Sequence, residues 1–176
     1  IVTAVPIVLS AVYFFFFECG ALPVTERILA SLFQSVTPRT AGFNTINLTV
    51  ISDTGLYLMI ILMLIGGSPG STAGGMKTTT IAVLFSSAFS VFRKKDNAEV
   101  MKRRIDDETV KTASAVFLMY ITLFLVGGMA ISTIENLPIT SCLYETASAV
   151  GTVGLTLGIT PTLGSASKMI LIMSMF

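Results

Sequence analysis

The stretch Thr37-Pro-Arg-Thr-Ala-Gly-Phe-Asn44 decides the fold that this sequence predicts. It follows residues 24–36, which as a helix would be about 20 Å long, too short to cross a hydrocarbon core of about 30 Å. Glycine in such a turn can adopt a positive φ and turn its carbonyl the same way as its neighbours' carbonyls. A row of backbone carbonyls can replace the water around a permeating cation. The stretch therefore predicts a short helix that dips into a membrane and ends in an ion-coordinating turn.

A similar arrangement follows about 110 residues later, where Gly151-Thr-Val-Gly-Leu-Thr156 comes after residues 139–150. Both turns contain a Thr-x-Gly-apolar sequence, and the two short helices would direct their partly negative C-termini towards a shared cavity. The alternative is that each is a glycine-capped re-entrant helix without an ion. We expect Phe43 and Leu155 to pack behind their turns. The predicted filter carbonyls are those of Thr40, Ala41, Gly42, Phe43, Thr152, Val153, Gly154 and Leu155.

The composition is that of a membrane protein. The chain of 176 residues is 53% hydrophobic and 12% charged, with a mean hydropathy of +0.84, so the bilayer is its expected solvent. It contains no histidine, which excludes His-based metal sites and Ser-His or Cys-His catalysis within this chain, and we expect no enzymatic activity. Cys19 and Cys142 are expected to be small buried hydrophobes rather than a disulfide. Because the chain begins at Ile1 and ends within an apolar run, we expect it to be part of a longer polypeptide.

The order of predicted elements is a spanning helix, a short helix, a glycine turn and a second spanning helix, twice over. The spanning segments are residues 1–17, 55–92, 108–134 and 163 onward. The fold class is therefore an all-α membrane protein with tandem helix–pore-loop–helix repeats around a central ion pore.

The segment Gly55–Phe92 is too long for one membrane helix, since its 38 residues would extend about 57 Å. Gly66–Gly75 at its middle contains five glycines and a proline, so we expect helix, loop and helix. A phosphate-binding P-loop is disfavoured because Met76 puts Lys77-Thr78 one residue out of register. A serine hydrolase is also disfavoured, because this sequence has no histidine and no strong base near Ser68 or Ser71. The main alternative is a secondary transporter that binds a solute at the broken helix.

The charged residues predict topology and local partners. Residues 93–104 carry six of the eleven lysines and arginines, which places this loop in the cytoplasm, where it can also contact anionic lipid. Lys77 lies at membrane depth and either tethers the loop or extends towards the cytoplasmic interface. Arg39 beside the first turn would repel cations, so we expect a carboxylate to neutralise it, either Glu145 or an acid outside this chain.

Three motifs together resemble the Trk/Ktr/HKT superfamily of cation transporters, most of all the Ktr-type membrane subunit. They are Val36-Thr-Pro-Arg-Thr-Ala-Gly-Phe-Asn44, Gly70-Ser-Thr-Ala-Gly-Gly-Met-Lys-Thr78 and Glu145-Thr-Ala-Ser-Ala-Val-Gly-Thr-Val-Gly-Leu-Thr156. In that family, four helix–pore-loop–helix repeats surround one pore. The resemblance implies that residues 1–92 are the third repeat, 93–107 a cytoplasmic basic loop and 108–176 the fourth repeat, truncated.

The resemblance also implies a function and its partners. Gly42 and Gly154 would be two of four filter glycines, with potassium bound only at the filter carbonyls, sodium coupling left open and no cofactor. The implied partners are membrane lipid, a second copy of the protein and a cytoplasmic ring of nucleotide-binding regulatory subunits that the basic loop can contact, with no nucleic acid. The implied location is the bacterial plasma membrane, crossed several times. The implied gating loop consists of Gly66, Gly67, Ser68, Pro69, Gly70, Ser71, Thr72, Ala73, Gly74, Gly75 and Lys77.

The predicted orientation can be tested by labelling. After removal of Cys19 and Cys142, a cysteine introduced at Asn97 should react with a membrane-impermeant thiol reagent in inside-out vesicles and not in intact cells. Labelling in intact cells would reverse the predicted topology.

Overall fold

The computed structural model of this chain describes residues 3–20, 22–46, 48–68, 74–93, 99–100 and 103–175. Within these ranges the chain is mainly α-helical, with one short antiparallel strand pair in the basic loop. The elements are α1 (Ala4–Tyr13), continued by a π-helical turn (Phe14–Glu18), α2 (Val24–Val36), a 3-10 turn (Leu48–Val50), α3 (Asp53–Leu64), α4 (Thr78–Phe92), β1 (Glu99–Val100), β2 (Arg103–Arg104), α5 (Asp107–Glu135), α6 (Ile139–Val150), a second 3-10 turn (Thr160–Thr162) and α7 (Ser165–Ser174).

The tandem arrangement of helices is confirmed. The two short helices have the bounds that the sequence predicts, Val24–Val36 and Ile139–Val150. Each follows a proline, at position 23 or 138, which is the N-cap residue. Proline fixes φ near the helical value and has no N–H to lose, so it suits a helix start. The two-residue strand pair within residues 93–107 was not predicted.

The long segment 55–92 is broken, as its glycines predict. Helix α3 ends at Leu64 and α4 begins at Thr78. The two segments that flank the break are held together by a parallel β-bridge between Ile65 and Met76 and by a hydrogen bond of 3.2 Å from Thr78 N to Gly67 O. Residues 65–67 and 76–78 therefore lie side by side on the two sides of the break.

The first helix becomes π-helical at its C-terminal end, where the sequence predicts a regular helix. After Tyr13 the chain continues as a π-helical turn through Glu18. Arg27 of α2 accompanies this change: its Nε donates to Phe15 O at 2.6 Å, and its guanidinium lies 4.4 Å from the centroid of the Phe15 ring. The arginine thus binds backbone carbonyl oxygen at the irregular helix end and fixes α2 against α1.

The core joins the two repeats. Phe14, Met59, Met63 and Tyr144 are completely buried, and α3 of the first repeat packs against α6 of the second. The Met59 sulfur lies 3.9 Å from both Gln34 Nε2 of α2 and the Tyr144 hydroxyl of α6. Met59 of α3 therefore contacts both short helices.

Among the described residues, Asp107–Glu135 is the one helix that is both long and apolar enough to cross a membrane. Only 22% of its apolar window is buried inside the structure, so most of that surface faces outward. Further apolar helices of 10–17 residues are Ala4–Glu18, Asp53–Leu64, Thr78–Phe92 and Ser165–Ser174.

The close packing of α5 on α6 gives a test of the fold. A Cβ at Gly128 would lie 2.5 Å from Leu143 Cδ2 and 3.3 Å from Leu143 Cα. Gly128→Val should therefore destabilise the protein by roughly 1–3 kcal/mol through overpacking. The matched control is Ala115→Val on an exposed position of the same helix. Thermal unfolding in detergent measures both, and equal melting temperatures would contradict this packing.

Candidate functional site

The two glycine turns place left-handed residues at the same two positions. Thr40 and Gly42 have φ values of 68° and 71°, and Thr152 and Gly154 have 51° and 88°. A left-handed conformation is rare for a β-branched residue and costs on the order of 1–3 kcal/mol. The same strained threonine, two residues before the same glycine, occurs in both repeats. The structural repeat is therefore closer than the sequence repeat.

The turns are brought into direct contact. A Cβ added at Gly42 would overlap the Val153 carbonyl oxygen and lie 3.7 Å from Gly154 Cα. At Gly154, by contrast, an added Cβ would meet no atom of the described residues within 4 Å. The first turn therefore lies against the second, and Gly154 faces open space.

Each turn folds back on the helix that precedes it. Thr37 O accepts hydrogen bonds of 3.2 Å from both Ala41 N and Gly42 N, and Ser148 O accepts one of 2.8 Å from Val153 N. The buried Thr37 hydroxyl also donates to Phe43 O at 2.5 Å. The sequence analysis missed this role of Thr37, for which the only signal is a hydroxyl residue at the helix end.

The apolar residues that close the two turns differ in burial. Leu155 is 2% exposed and packs in the core, as predicted. Phe43 is 70% exposed, so the prediction that it packs behind its turn is wrong for this chain. Leu155 belongs to the same buried hydrophobic cluster as Met59 of α3 and Phe124 of α5, whereas Phe43 is held through its carbonyl oxygen, which accepts from Thr37 Oγ1.

The glycine-rich loop lies beside the second turn at the positions that the structure describes. A Cβ at Gly74 would overlap the Thr152 side chain, and one at Gly75 would lie 3.4 Å from Gly151 Cα. Gly66 lies against Gly74 and Gly75 in the same way. The predicted loop residues Pro69, Gly70, Ser71, Thr72 and Ala73 lie outside the described residues.

Arg39 binds backbone carbonyls. Its Nη1 donates to Thr3 O at 3.0 Å and its Nη2 to Gly66 O at 3.2 Å, while Nε is buried without a partner in the described part of the chain. Of the two carboxylates predicted to neutralise Arg39, Glu145 is excluded because its oxygens accept hydrogen bonds from other residues. The other, an acid outside this chain, stays a prediction. Arg39 therefore links the first turn to the start of the glycine-rich loop.

Glu145 holds the chain that leaves the second turn. Glu145 as a whole is 4% exposed. Oε1 accepts from Thr156 Oγ1 at 2.6 Å and Leu157 N at 2.9 Å, and Oε2 accepts from Thr160 Oγ1 at 2.7 Å. A buried carboxylate is stable only when its lone pairs are satisfied in this way.

The remaining predicted residues lie at the edge of this site. Lys77 is half-buried and immediately precedes α4, and both of its proposed roles stay predictions. Cys19 and Cys142 are free thiols buried in the protein, as expected. In the basic loop, Arg93 lies over the Phe89 ring at 4.5 Å, and Lys94, Lys95 and Lys102 are outside the described residues.

Comparison with known proteins assigns the chain to a family. Residues 7–176 match the family model described as TrkH: Cation transport protein. The chain is 42% identical over 156 residues to the potassium/sodium uptake protein NtpJ of Enterococcus hirae, covering 86% of this chain and 35% of that protein. It is 38% identical over 157 residues to the Ktr system potassium uptake protein B of Bacillus subtilis, covering 89% and 35%.

The fold has a counterpart in a solved structure. The crystal structure of the potassium transporter TrkH from Vibrio parahaemolyticus superposes with a TM-score of 0.83 at 22% identity, covering 99% of this chain and 40% of that one. The chain spans about a third of the length of the curated relatives above. The paired helix–turn–helix repeats thus have both sequence and structural relatives, and the chain belongs to the TrkH family of cation transport proteins.

Proposed function

We propose that the protein containing this chain takes up potassium across the bacterial plasma membrane through a channel-like pore. In this proposal, residues 40–43 and 152–155 are two of the walls of a selectivity filter, whose backbone carbonyls replace the hydration shell of the ion. The observation that carries it is the contact between two turns of the same strained conformation, at Gly42 and Val153.

The short helices support the same proposal electrostatically. Helices α2 and α6 end at Val36 and Val150, a few residues before their turns. A helix C-terminus carries about half a negative charge. Two such ends near the turns favour a cation over an anion without needing a formal charge in the ion path.

The cargo and the assembly are proposed from the family. NtpJ is named as a potassium/sodium uptake protein and the Bacillus relative as a potassium uptake protein, so we propose potassium as the main cargo and leave sodium coupling as a second possibility. The protein would cross the membrane several times, form a homodimer and bind a cytoplasmic ring of regulatory subunits. Phe85, Phe89 and Phe92 on α4 are all more than half exposed, which supports contact of this face with lipid.

We also propose that residues 66–75 with Lys77 gate the pore. The support comes from the described ends of this loop, because Gly66 is bonded to Arg39 beside the first turn and Gly74 lies against Thr152 of the second. A loop attached to both turns is well placed to obstruct the ion path that the two turns would line. If the loop has two arrangements of similar energy, one open and one obstructing, a regulator that favours one of them would switch the ion flux.

The filter assignment can be tested with three matched glycine substitutions. Gly154 and Gly158 both have φ near 90° and open space around an added Cβ, so Gly154→Ser and Gly158→Ser impose similar backbone strain. Gly154→Ser should lower the potassium-to-sodium permeability ratio about tenfold, equivalent to 1.4 kcal/mol, because its side chain enters the ion path. Gly158→Ser should lower the ratio less than Gly154→Ser does, because Gly158 lies in the segment after the turn and not in the turn itself.

Gly42→Ser should have the largest effect of the three, because its Cβ displaces the Val153 carbonyl as well as straining its own turn. Ion flux into proteoliposomes at matched amounts of folded protein measures all three variants. A permeability ratio that is equal in the Gly154 and Gly158 variants would refute the filter assignment.

The gating proposal can be tested by deletion of residues 68–73. The flanking positions Gly66 and Gly74 are already in contact, so the shortened chain can close without moving α3 or α4. The deletion should raise the uptake rate per folded protein and leave selectivity unchanged, since both turns stay in place. The control replaces 68–73 with six Gly and Ser residues, which keeps a chain in the pore and should keep the flux near the parent's.

The same experiment distinguishes the secondary-transporter alternative. If the loop binds a solute, the deletion abolishes transport instead of increasing it. A folded deletion variant whose flux equals the parent's, with and without the cytoplasmic regulator, would contradict gating by this loop.

A further inference from the structure

We infer that Glu145 is a positioning residue for ion selectivity, which acts by anchoring the chain that leaves the second turn. The inference rests on the proposed function of the two turns. It assigns the carboxylate a role through Thr156, Leu157 and Thr160, without contact between Glu145 and the permeating ion.

The carboxylate closes a loop of chain around the second turn. Glu145 lies on α6, near the end from which the turn begins, and its three donors lie 11 to 15 residues further along the chain. The start of the turn is held separately, by the bond from Val153 N to Ser148 O. Gly154 lies between Val153 and the segment bound by Glu145, and Thr152 lies within the turn that the bond from Val153 N to Ser148 O closes.

The anchor extends beyond the three direct bonds. Thr156 Oγ1, which donates to Glu145, also accepts from Gly158 N at 2.9 Å. Leu155, adjacent to Thr156, is buried in the core. The exit segment is therefore ordered by one carboxylate on its polar side and by apolar packing on the other.

The first turn lacks this arrangement. Gln34 occupies the position in α2 that corresponds to Glu145 in the sequence repeat, but its Nε2 points to the Met59 sulfur. Its Oε1 is buried and has no partner among the described residues. In the described part of this exit, Phe43 O accepts from Thr37 Oγ1 and Asn44 Oδ1 accepts from Ile46 N, and no carboxylate takes part. We therefore expect the second turn to be the more rigid of the two and to contribute more to discrimination between ions.

The chemistry of the anchor allows geometry to be separated from charge. A glutamine at this position keeps one oxygen for Thr156 Oγ1 and Leu157 N, and its amide can donate to Thr160 Oγ1 because a hydroxyl is also an acceptor. Glu145→Gln thus removes the charge and preserves the anchor, whereas Glu145→Ala removes both. The pair Thr156→Val with Thr160→Val removes two of the donors and leaves the carboxylate in place.

Glu135 provides the matched control. Its Oε1 accepts from Gly164 N at 2.8 Å and from Ser167 Oγ at 2.5 Å, so it anchors the start of α7 as Glu145 anchors the exit segment. It does not contact either turn. Glu135→Ala therefore measures the general cost of losing such an anchor.

The experiment uses the complete transporter polypeptide in proteoliposomes. In Glu145→Ala and in the double threonine variant, the potassium-to-sodium permeability ratio should fall about tenfold, equivalent to 1.4 kcal/mol. In Glu145→Gln and Glu135→Ala it should stay within about twofold of the parent's, a difference below 0.5 kcal/mol. Amide hydrogen exchange of the peptide spanning 156–160 should accelerate in the first two variants only.

The outcomes distinguish this inference from the proposed function. If the parent protein shows no potassium-selective flux, the proposed function fails, while the exchange measurement still reports on the anchor. If the parent is selective and Glu145→Ala is folded and equally selective, the positioning role fails alone. A loss in Glu145→Gln as large as that in Glu145→Ala would also overturn it, because charge would then be the cause. Should Glu145→Ala not fold, the double threonine variant decides by the same two readouts.

Discussion

A backbone that leaves its helix in apolar surroundings must find new partners for its N–H and C=O groups, since neither lipid nor a packed core supplies them. This chain departs from regular helix at several points, and an ionisable side chain from another element lies at three of them. Arg27 binds carbonyl oxygen at the widened end of the first helix, Arg39 binds Gly66 O at the break after α3, and Glu145 binds the segment after the second turn. Three of the charged side chains of this apolar protein thus stabilise its irregular backbone.

The turns themselves carry strain that the surrounding structure must support. Thr40 and Thr152 are left-handed although each has a branched Cβ, a conformation that persists only where neighbouring contacts over-determine it. Around Thr152 those contacts are Gly74 of the glycine-rich loop, the end of α6 and the exit segment held by Glu145. A site that binds a small ion benefits from such rigidity, because loosely held carbonyls adapt to ions of several sizes.

Much of the fold was predictable because it depends on local constraints. The short helices 24–36 and 139–150 follow from a proline at the start, a turn at the end and a length below that of the bilayer core. The break in 55–92 follows from the poor helix propensity of glycine and proline. The π-helical turn at Phe14–Glu18 and the exposure of Phe43 were not predictable, because both depend on how separate elements pack.

The partners within the site were less predictable than its location. Coulombic reasoning named Glu145, or an acid outside this chain, as the partner of Arg39. Arg39 and Glu145 instead bind backbone or hydroxyl groups in parts of the chain that are not helical. Which of these groups need a partner is known only once the three-dimensional path of the backbone is known. Gln34 and Glu145 likewise occupy equivalent positions of the sequence repeat, yet the two side chains have different hydrogen-bond partners.

The contact between Gly42 and the Val153 carbonyl has an evolutionary consequence. Two copies of an internal duplication can drift apart when each packs separately, because a change in one copy is then invisible to the other. Here a side chain gained at position 42 would be tolerated only if the backbone of the other copy moved with it. The two turns therefore constrain each other's substitutions at this contact. A substitution in one turn should be accepted mainly in sequences in which the other turn has already changed.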